Sequence, residues 1–591
     1  MTVGLESVSR ARAYEEAAGR LRALLGDSSV ASPDPGRRTA LDLFRAAPRE
    51  APALFYFDAT QTYADIDRLS DRLAARLAQK GVGRGDRVAV ILQNVPQFVI
   101  VSVAAWKVGA IVVSLNPMYR TPELRKLFGD CEPKAVICHD DQWENVFPAA
   151  GSVDSELVFW TGAREFQTRN DVRVLPVPGA APPAQALATV FAENAPAPPA
   201  PVLTSDDIAL LLYTSGTTGV PKGAMLTHRN LVATALICCD HFELNGTSRI
   251  FGVAPLFHIT GFEIQMVAAF AARAAMVLTY RFQPQVALDA FLEWRPTFIV
   301  GAITAYIALM NQADATSRHF ESFVHIYSGG APIAPSVIDA FARRFGRAIR
   351  SSYGMTELTS ASHLAPNEGR IPVDPDSGAL SIGRPTPAVD AIVVDDERRP
   401  LGPGAHGEVV VRGPGVMAGY WRKPAETDEV LTNGWLHSGD VGFFDESGWF
   451  YLVDRKKDMI SASGFKVWPR EVEDVIYGFP GVREAAVVGA ADPYRGETVV
   501  AFVSAQPGTV IDAAARSRAF AASGWRPTSA RSTFACWTIC RRRNPEKSPE
   551  TRSGTACAAC KENLRGYHPK RAQPATGRAS PALHDGAHLP E

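Results

Sequence analysis

The 591-residue sequence predicts an α/β protein with a large multi-sheet N-terminal domain and a small, hinged α/β domain that is cut short. Three observations carry this. To about residue 380, short aliphatic runs alternate with helical segments, the pattern of a parallel sheet flanked by helices. The chain then turns strand- and turn-rich through AIVVDD, GEVVVRG and GWFYLVD, before a small unit of helix PREVEDVIYGFP and strands REAAVVGA and TVVAFVSA. From Gly524 the aliphatic residues fall away. The last 68 residues hold no Val and no Met, too little apolar surface to offset the entropy of ordering.

The elements follow in order. Residues 1–35 read as an N-terminal extension, without the apolar core of a secretory signal. Residues 63–80 place apolar groups at helical spacing and stop before Gly81. RVAVIL (87–92) reads as a buried strand, followed by helix VPQFVIVSVAAWKVG and strand AIVVSLN. Residues 134–140, 156–161 and 207–214 read as further buried strands. Ala/Pro-rich residues 179–203 read as a surface linker. Lys107 and Arg273 interrupt the longest apolar stretches, which fall short of the ~20 residues of a membrane span. A cytoplasmic protein is expected. The formal charge of −1 gives no argument for nucleic acid.

Four segments carry chemistry. Thr214-Ser-Gly-Thr-Thr-Gly-Val-Pro-Lys222 follows a buried strand. Its glycines allow close backbone approach, its hydroxyls and N–H groups suit phosphate oxygens, and Lys222 adds positive charge. It is not the Walker pattern. Ser352-Tyr-Gly-Met-Thr-Glu357 joins an aromatic, a hydroxyl and a carboxylate, suited to a base, a phosphate and Mg²⁺. His437-Ser-Gly-Asp440 ends a strand with a carboxylate suited to ribose hydroxyls. Asp454-Arg-Lys-Lys-Asp458 concentrates charge after GWFYLV. Alone, each reads equally as a turn, a strand end or a solvated charge run.

Together, in this order, they resemble the adenylate-forming (AMP-binding) superfamily, most closely its acyl-CoA synthetases. The resemblance runs from about residue 40 to about 523. It includes Gly329-Gly-Ala-Pro332, Ile382-Gly-Arg-Pro385, Gly407-Glu408, Val411-Arg-Gly-Pro414, Gly419-Tyr-Trp421 and Ser463-Gly-Phe-Lys-Val-Trp-Pro-Arg-Glu-Val-Glu473. It implies an adenylation domain at 36–453 and a partial mobile domain at 454–523. It implies that Thr214, Ser215, Gly216, Thr217, Thr218, Gly219 and Lys222 cover the β- and γ-phosphates of ATP. Thr356 would touch the α-phosphate and Glu357 would hold Mg²⁺. Tyr353 with Gly330, Ala331 and Pro332 would frame adenine, and Asp440 and Arg455 would bind ribose. Lys457 would be the hinge about which the small domain turns between acyl-AMP formation and transfer to CoA. Thr217, Lys222, Thr356 and Glu357 are the implied catalytic set. A homodimer and a peripheral membrane contact stay open.

Pro255-Leu-Phe-His-Ile-Thr-Gly261 lies where this family builds its acyl pocket, with Val300-Gly-Ala-Ile303 opposite. His258 and Gly301 are the candidate substrate contacts, although His258 reads equally as a core histidine. Amino-acid-activating relatives place an Asp near this Phe to pair an ammonium. Here no carboxylate occurs until Glu263, so an uncharged aliphatic or aromatic tail, as in fatty-acid metabolism, is expected.

The tail departs from the family, whose closing segments L-A-x-Y-K-x-P and L-P-x-x-x-x-G-K, with its catalytic lysine, are missing. Regrouping the third base of each codon with the first two of the next permits Leu-Ala-Ala-Tyr-Lys-Arg from Gly524. From Cys536 it permits Leu-Asp-Asp-Leu-Pro-x-x-Lys-Ser-Gly-Lys, with Leu-Asp forced. Residues 524–591 therefore read as an irregular tail out of frame after Ser523. The rival reading is a zinc site on Cys536, Cys540, Cys557 and Cys560. Functional alternatives to a CoA ligase are a non-catalytic nucleotide-binding remnant and an enzyme loading a carrier protein.

Overall fold

A computed structural model describes residues 2–25, 38–214 apart from 178, 180, 183, 184 and 200, then 221–455, 460–462, 465–467, 482–492, 496–505 and 538–539, with a few single positions between 468 and 477. Ser215 to Gly219, Lys457, the junction at Ser523 and the four tail cysteines lie outside the described residues.

The predicted alternation resolves into two large sheets. The nine-stranded sheet runs in the order 384–385, 360–364, 350–355, 325–328, 298–301, 249–251, 275–278, 52–56, 59–62. Its strands from 350–355 to 52–56 are parallel. The eight-stranded sheet runs 419–420, 222–227, 208–214, 111–114, 87–91, 135–139, 158–161, 185–186, and is parallel from 208–214 onward. One core joins them, holding Leu54 and Met276 of the first sheet, Val88 and Leu210 of the second, and Trp106 and Phe262 between. Every residue of helix Pro96–Lys107 is buried, which is why this helix lacks the polar stripe of a surface helix. Lys107 lies inside because its ammonium meets Asp67 and Asp71, each at 2.6 Å.

The local signals hold where predicted. Helix Tyr63–Gln79 begins at a capping box between Thr62 and Asp65 and is followed by Gly81 at φ +76°. The linker reading of 179–203 needs correction. Helix Leu187–Ala192 and the short strand Gln185–Ala186 lie within it. Leu187, Val190 and Phe191 bury on one face at i, i+3, i+4, a spacing that the Ala/Pro composition concealed.

After residue 380 the antiparallel strands Asp390–Val394, Gly407–Arg412, Trp435–Phe444 and Phe450–Arg455 form a third sheet with Leu431–Thr432. The N-terminal extension contains helix Thr2–Leu25. It packs Tyr14, Ala17 and Ala18 onto Ile392, Val394, Val410 and Trp435 of that sheet. In the small unit, strands Val482–Asp492 and Gly496–Ala505 pair antiparallel. The two-residue strand Thr538–Ile539 pairs with the latter. Among the described residues, no helix is long and apolar enough to cross a membrane.

Breaking the Lys107 contacts should be costly. Lys107→Met is expected to lose about 3 kcal/mol at pH 7, because removing one partner strands a poorly solvated carboxylate. Burial raises the Asp67 pKa, but Lys107 and Arg49 outweigh it and leave the pKa below its ordinary value. A depressed carboxylate pKa contributes stability above the unfolded value of about 3.9 that is lost as pH falls through the folded value. The difference between variant and wild type in thermal unfolding should therefore shrink below pH 4.

Candidate active site

The candidate residues meet at the carboxyl ends of the parallel strands, the edge where open α/β sheets bind ligands. Strand Arg350–Met355 carries Tyr353 and leads into the turn Thr356–Leu358. Glycine at 354 lets the following strand fold back, since a Cβ there would lie 1.5 Å from the Ser360 carbonyl oxygen. Thr359 and Ser360 hold φ of 53° and 87°, left-handed backbone uncommon for such residues. Strain of this kind gathers at functional turns. Thr356 is half-buried and Glu357 is buried.

Two side-chain links draw in the other motifs. The Tyr353 hydroxyl donates to Asp440 Oδ2 at 2.7 Å. The Tyr420 hydroxyl donates to Glu357 Oε1 at 2.8 Å. Lys222 Nζ lies 5.2 Å from the centre of the Tyr420 ring, within cation–π range. Burial and the Glu357 charge raise the Tyr420 pKa, so it stays a donor. Lys222 is in register with Thr214 across two antiparallel strands, which fixes both ends of the 214–222 segment. Asp440 is in register with Arg455. Gly329 packs where a Cβ would be 2.4 Å from Ser352 Oγ, so the Gly329–Pro332 turn leaves its strand beside that of Tyr353. Gly330 takes φ +77°.

Thr214, Lys222, Gly330, Tyr353, Thr356, Glu357, Asp440 and Arg455 are thus linked in one region despite their separation in sequence. Tyr420 is absent from the predicted site residues, although it joins Lys222 to Glu357. The segment Gly419-Tyr-Trp421 was its signal. The Gly419 φ of 137° and the 2.8 Å from its Cβ position to Thr427 explain the glycine before it.

The Pro255–Gly261 segment leads into a π-helix, Thr260–Val267, a form frequent at functional sites. Gly261 permits its start, as a Cβ there would be 2.1 Å from the Pro255 carbonyl oxygen. Gln265 Nε2 donates to the Val300 carbonyl at 3.0 Å and ties the π-helix to strand Phe298–Gly301. Gly301 faces Val253, 2.7 Å from its Cβ position. His258 is solvent-exposed, yet the protein around it desolvates the ring enough to lower its pKa. Glu263 is fully buried, and neither carboxyl oxygen has a hydrogen-bond partner among the described residues. Burial pushes its pKa well above the carboxylate range.

A strand pair joined by the 214–222 segment and an aromatic–carboxylate turn at one sheet edge place the chain in the class that the family comparison names. The chain belongs to the AMP-binding enzyme family: the family model matches residues 43–421, and the model of its C-terminal domain matches 471–554, running past Ser523. It is 34% identical to a long-chain-fatty-acid–CoA ligase of Bacillus subtilis, over 84% of this chain and 88% of that one. It is 35% identical to a feruloyl-CoA synthase of Amycolatopsis sp, over 76% and 85%. The crystal structure of ATP-bound MatB from Rhodopseudomonas palustris superposes with TM-score 0.73 at 28% identity, covering 82% of this chain and 92% of that one.

Two measurements test the site. Asp440→Ala should weaken AMP binding about 10- to 100-fold, the loss of a charge-assisted hydrogen bond worth about 1.5–3 kcal/mol. Calorimetry at fixed salt checks it. Glu263→Leu should raise the thermal midpoint, with a larger gain at pH 8 than at pH 5. A raised carboxylate pKa contributes stability below the unfolded value of about 4.3 that is lost as pH rises through the folded value. A gain independent of pH would show that Glu263 is not desolvated as described.

Proposed function

We propose that the chain activates a carboxylic acid with ATP to acyl-AMP, releasing pyrophosphate, and passes the acyl group to the thiol of CoA. The observation that carries this is the linked set Lys222–Tyr420–Glu357 and Tyr353–Asp440 with Arg455 opposite. A carboxylate is a poor electrophile, and the mixed anhydride supplies a good leaving group. Adenylyl transfer depends on positioning and charge neutralisation, and this set holds a cation, a carboxylate and hydroxyl donors for both.

In this reading Thr214, Ser215, Gly216, Thr217, Thr218, Gly219 and Lys222 hold the β- and γ-phosphates. Thr356 contacts the α-phosphate. Gly330, Ala331, Pro332 and Tyr353 frame adenine, and Asp440 and Arg455 take the ribose. Glu357 fits Mg²⁺, an ion that keeps several waters and needs only one or two protein carboxylates beside phosphates. Bound there, the ion neutralises phosphate charge, and the Tyr420 hydroxyl fixes the carboxylate that holds it.

The acid is one with an uncharged fatty or aromatic tail. The π-helix that continues the Pro255–Gly261 segment is mostly apolar, with Gly261, Phe262, Ile264, Met266 and Val267, and its one carboxyl, Glu263, is fully buried with its pKa raised by burial rather than placed as a counter-ion. Relatives named for a long-chain fatty acid and for ferulate agree with that class. We place the large domain at 36–453, the partial mobile domain at 454–523 and the hinge at Lys457. The closing G-K segment is missing, so turnover is impaired while nucleotide binding is kept.

The test is acid-dependent ATP–pyrophosphate exchange across fatty and hydroxycinnamic acids, on the chain as it stands and with the frame restored after Ser523. The restored chain should exchange about 10²–10³ faster, the contribution of one preorganised charge-stabilising donor. Nucleotide affinity should agree within a few-fold. Equal exchange rates would show the tail to be harmless, and no exchange by either would refute acid activation.

A further inference from the structure

The strand that presents Asp440 is irregular in a specific way. Glu408 is in register with Val441 and Val410 with His437, so Ser438, Gly439 and Asp440 all lie opposite the single residue Val409. Bulges of this kind turn a strand and re-aim its side chains. Gly439 takes φ +73°, which glycine adopts without cost. Three hydrogen bonds pin the bulge. Ser438 Oγ donates to the Val409 carbonyl at 2.6 Å, the Asp440 amide donates to Ser438 Oγ at 3.1 Å, and the Gly439 amide donates to Glu408 Oε1 at 2.9 Å.

The other oxygen of Glu408 is also engaged. Glu408 Oε2 lies 3.3 Å from His437 Nδ1. His437 is buried, and its ring centre lies 6.4 Å from that of Tyr14 on the N-terminal helix. Tyr14 in turn stands edge-on to Trp435 at 5.5 Å. On the other side, the bulge delivers Asp440 Oδ2 to the Tyr353 hydroxyl. The carboxylate of Glu408 therefore sits between a packed support and Asp440.

We propose that Glu408 is a positioning residue for nucleotide binding, clamping the Ser438–Asp440 bulge so that Asp440 meets Tyr353 and the ribose hydroxyls; this rests on the reading of Asp440 as the ribose carboxylate. Glu408 acts through Asp440 and does not touch the ligand. The amide of Gly439 needs an acceptor at that position, and a neutral acceptor serves it in part. Preorganising a ligand-binding group in this way reduces the ordering that binding must otherwise supply.

The experiment is a double-mutant cycle on the full chain, with AMP as the probe and dissociation constants from calorimetry. Glu408→Leu should weaken AMP binding about tenfold, and Glu408→Gln, which keeps an acceptor, by no more than about threefold. In the Asp440→Ala background, Glu408→Leu should cause almost no further loss. Should Glu408→Leu fail to fold, Ser438→Ala removes the other two bonds of the same bulge and should show the same coupling to Asp440. An unchanged constant in the folded Glu408 variant, or losses that add across the cycle, would overturn the proposal. If Asp440→Ala alone leaves AMP binding unchanged, the ribose reading fails and takes the proposal with it. If Asp440→Ala weakens binding and Glu408→Leu does not, only the proposal fails.

Discussion

The hydrogen bond from Tyr353 to Asp440 joins two sheets of different construction. Tyr353 stands on a strand of the nine-stranded sheet, and Asp440 on the third, antiparallel sheet. The link is supported nearby by backbone. The Ile382 amide donates to the Phe450 carbonyl at 2.9 Å, and Ser381 Oγ donates to the same oxygen at 2.8 Å. A hydroxyl–carboxylate bond at a sheet junction is strong because one partner is charged. It has direction, so each sheet must present its residue from one angle.

That requirement explains why irregular backbone gathers here. Tyr353 is followed by a register shift at Gly354, where the chain passes almost in contact with Ser360. Asp440 lies in the bulge opposite Val409 and next to a second shift at Val441. Regular strands would alternate their side chains and point one of each pair away. The glycines at 354 and 439 serve different needs, close approach in the first and a left-handed φ in the second.

Much of this was legible in the sequence, and the parts that were not have two causes. The strand–helix alternation located Arg87–Ile91, Ala135–His139, Val158–Thr161 and Ile208–Thr214 to within a residue or two, because buried parallel strands are short, unbroken aliphatic runs. The motifs named Tyr353, Glu357, Asp440 and Arg455, which the fold places in one region. Tyr420 and Glu408 were visible only as letters of motifs. What they do depends on cross-strand register, which no local pattern encodes. Helix Leu187–Ala192 was hidden for another reason, since the Ala/Pro-rich composition around it masked the spacing of its three buried residues.

The N-terminal helix shows how far such dependence extends. Its own sequence gives little reason to assign it a place, and it lies outside the stretch matched to the family. Yet Glu15 meets Arg412 on the strand next to that of Asp440, and Arg22 reaches Asp390 at 2.6 Å on the strand beyond it. Arg412 also pairs with Asp390 at 2.7 Å and lies 4.5 Å from the centre of the Trp435 ring, so one guanidinium serves the helix, two strands and an aromatic. Arginine suits this place because its planar fork can pair with carboxylates while its face lies on a ring. Ion pairs this exposed add little stability singly. The buried Tyr14–Trp435 contact supplies the packing, and the charges fix where along the sheet the helix lies. A segment outside the matched family region is thereby packed behind the strand that carries a candidate ligand-binding carboxylate.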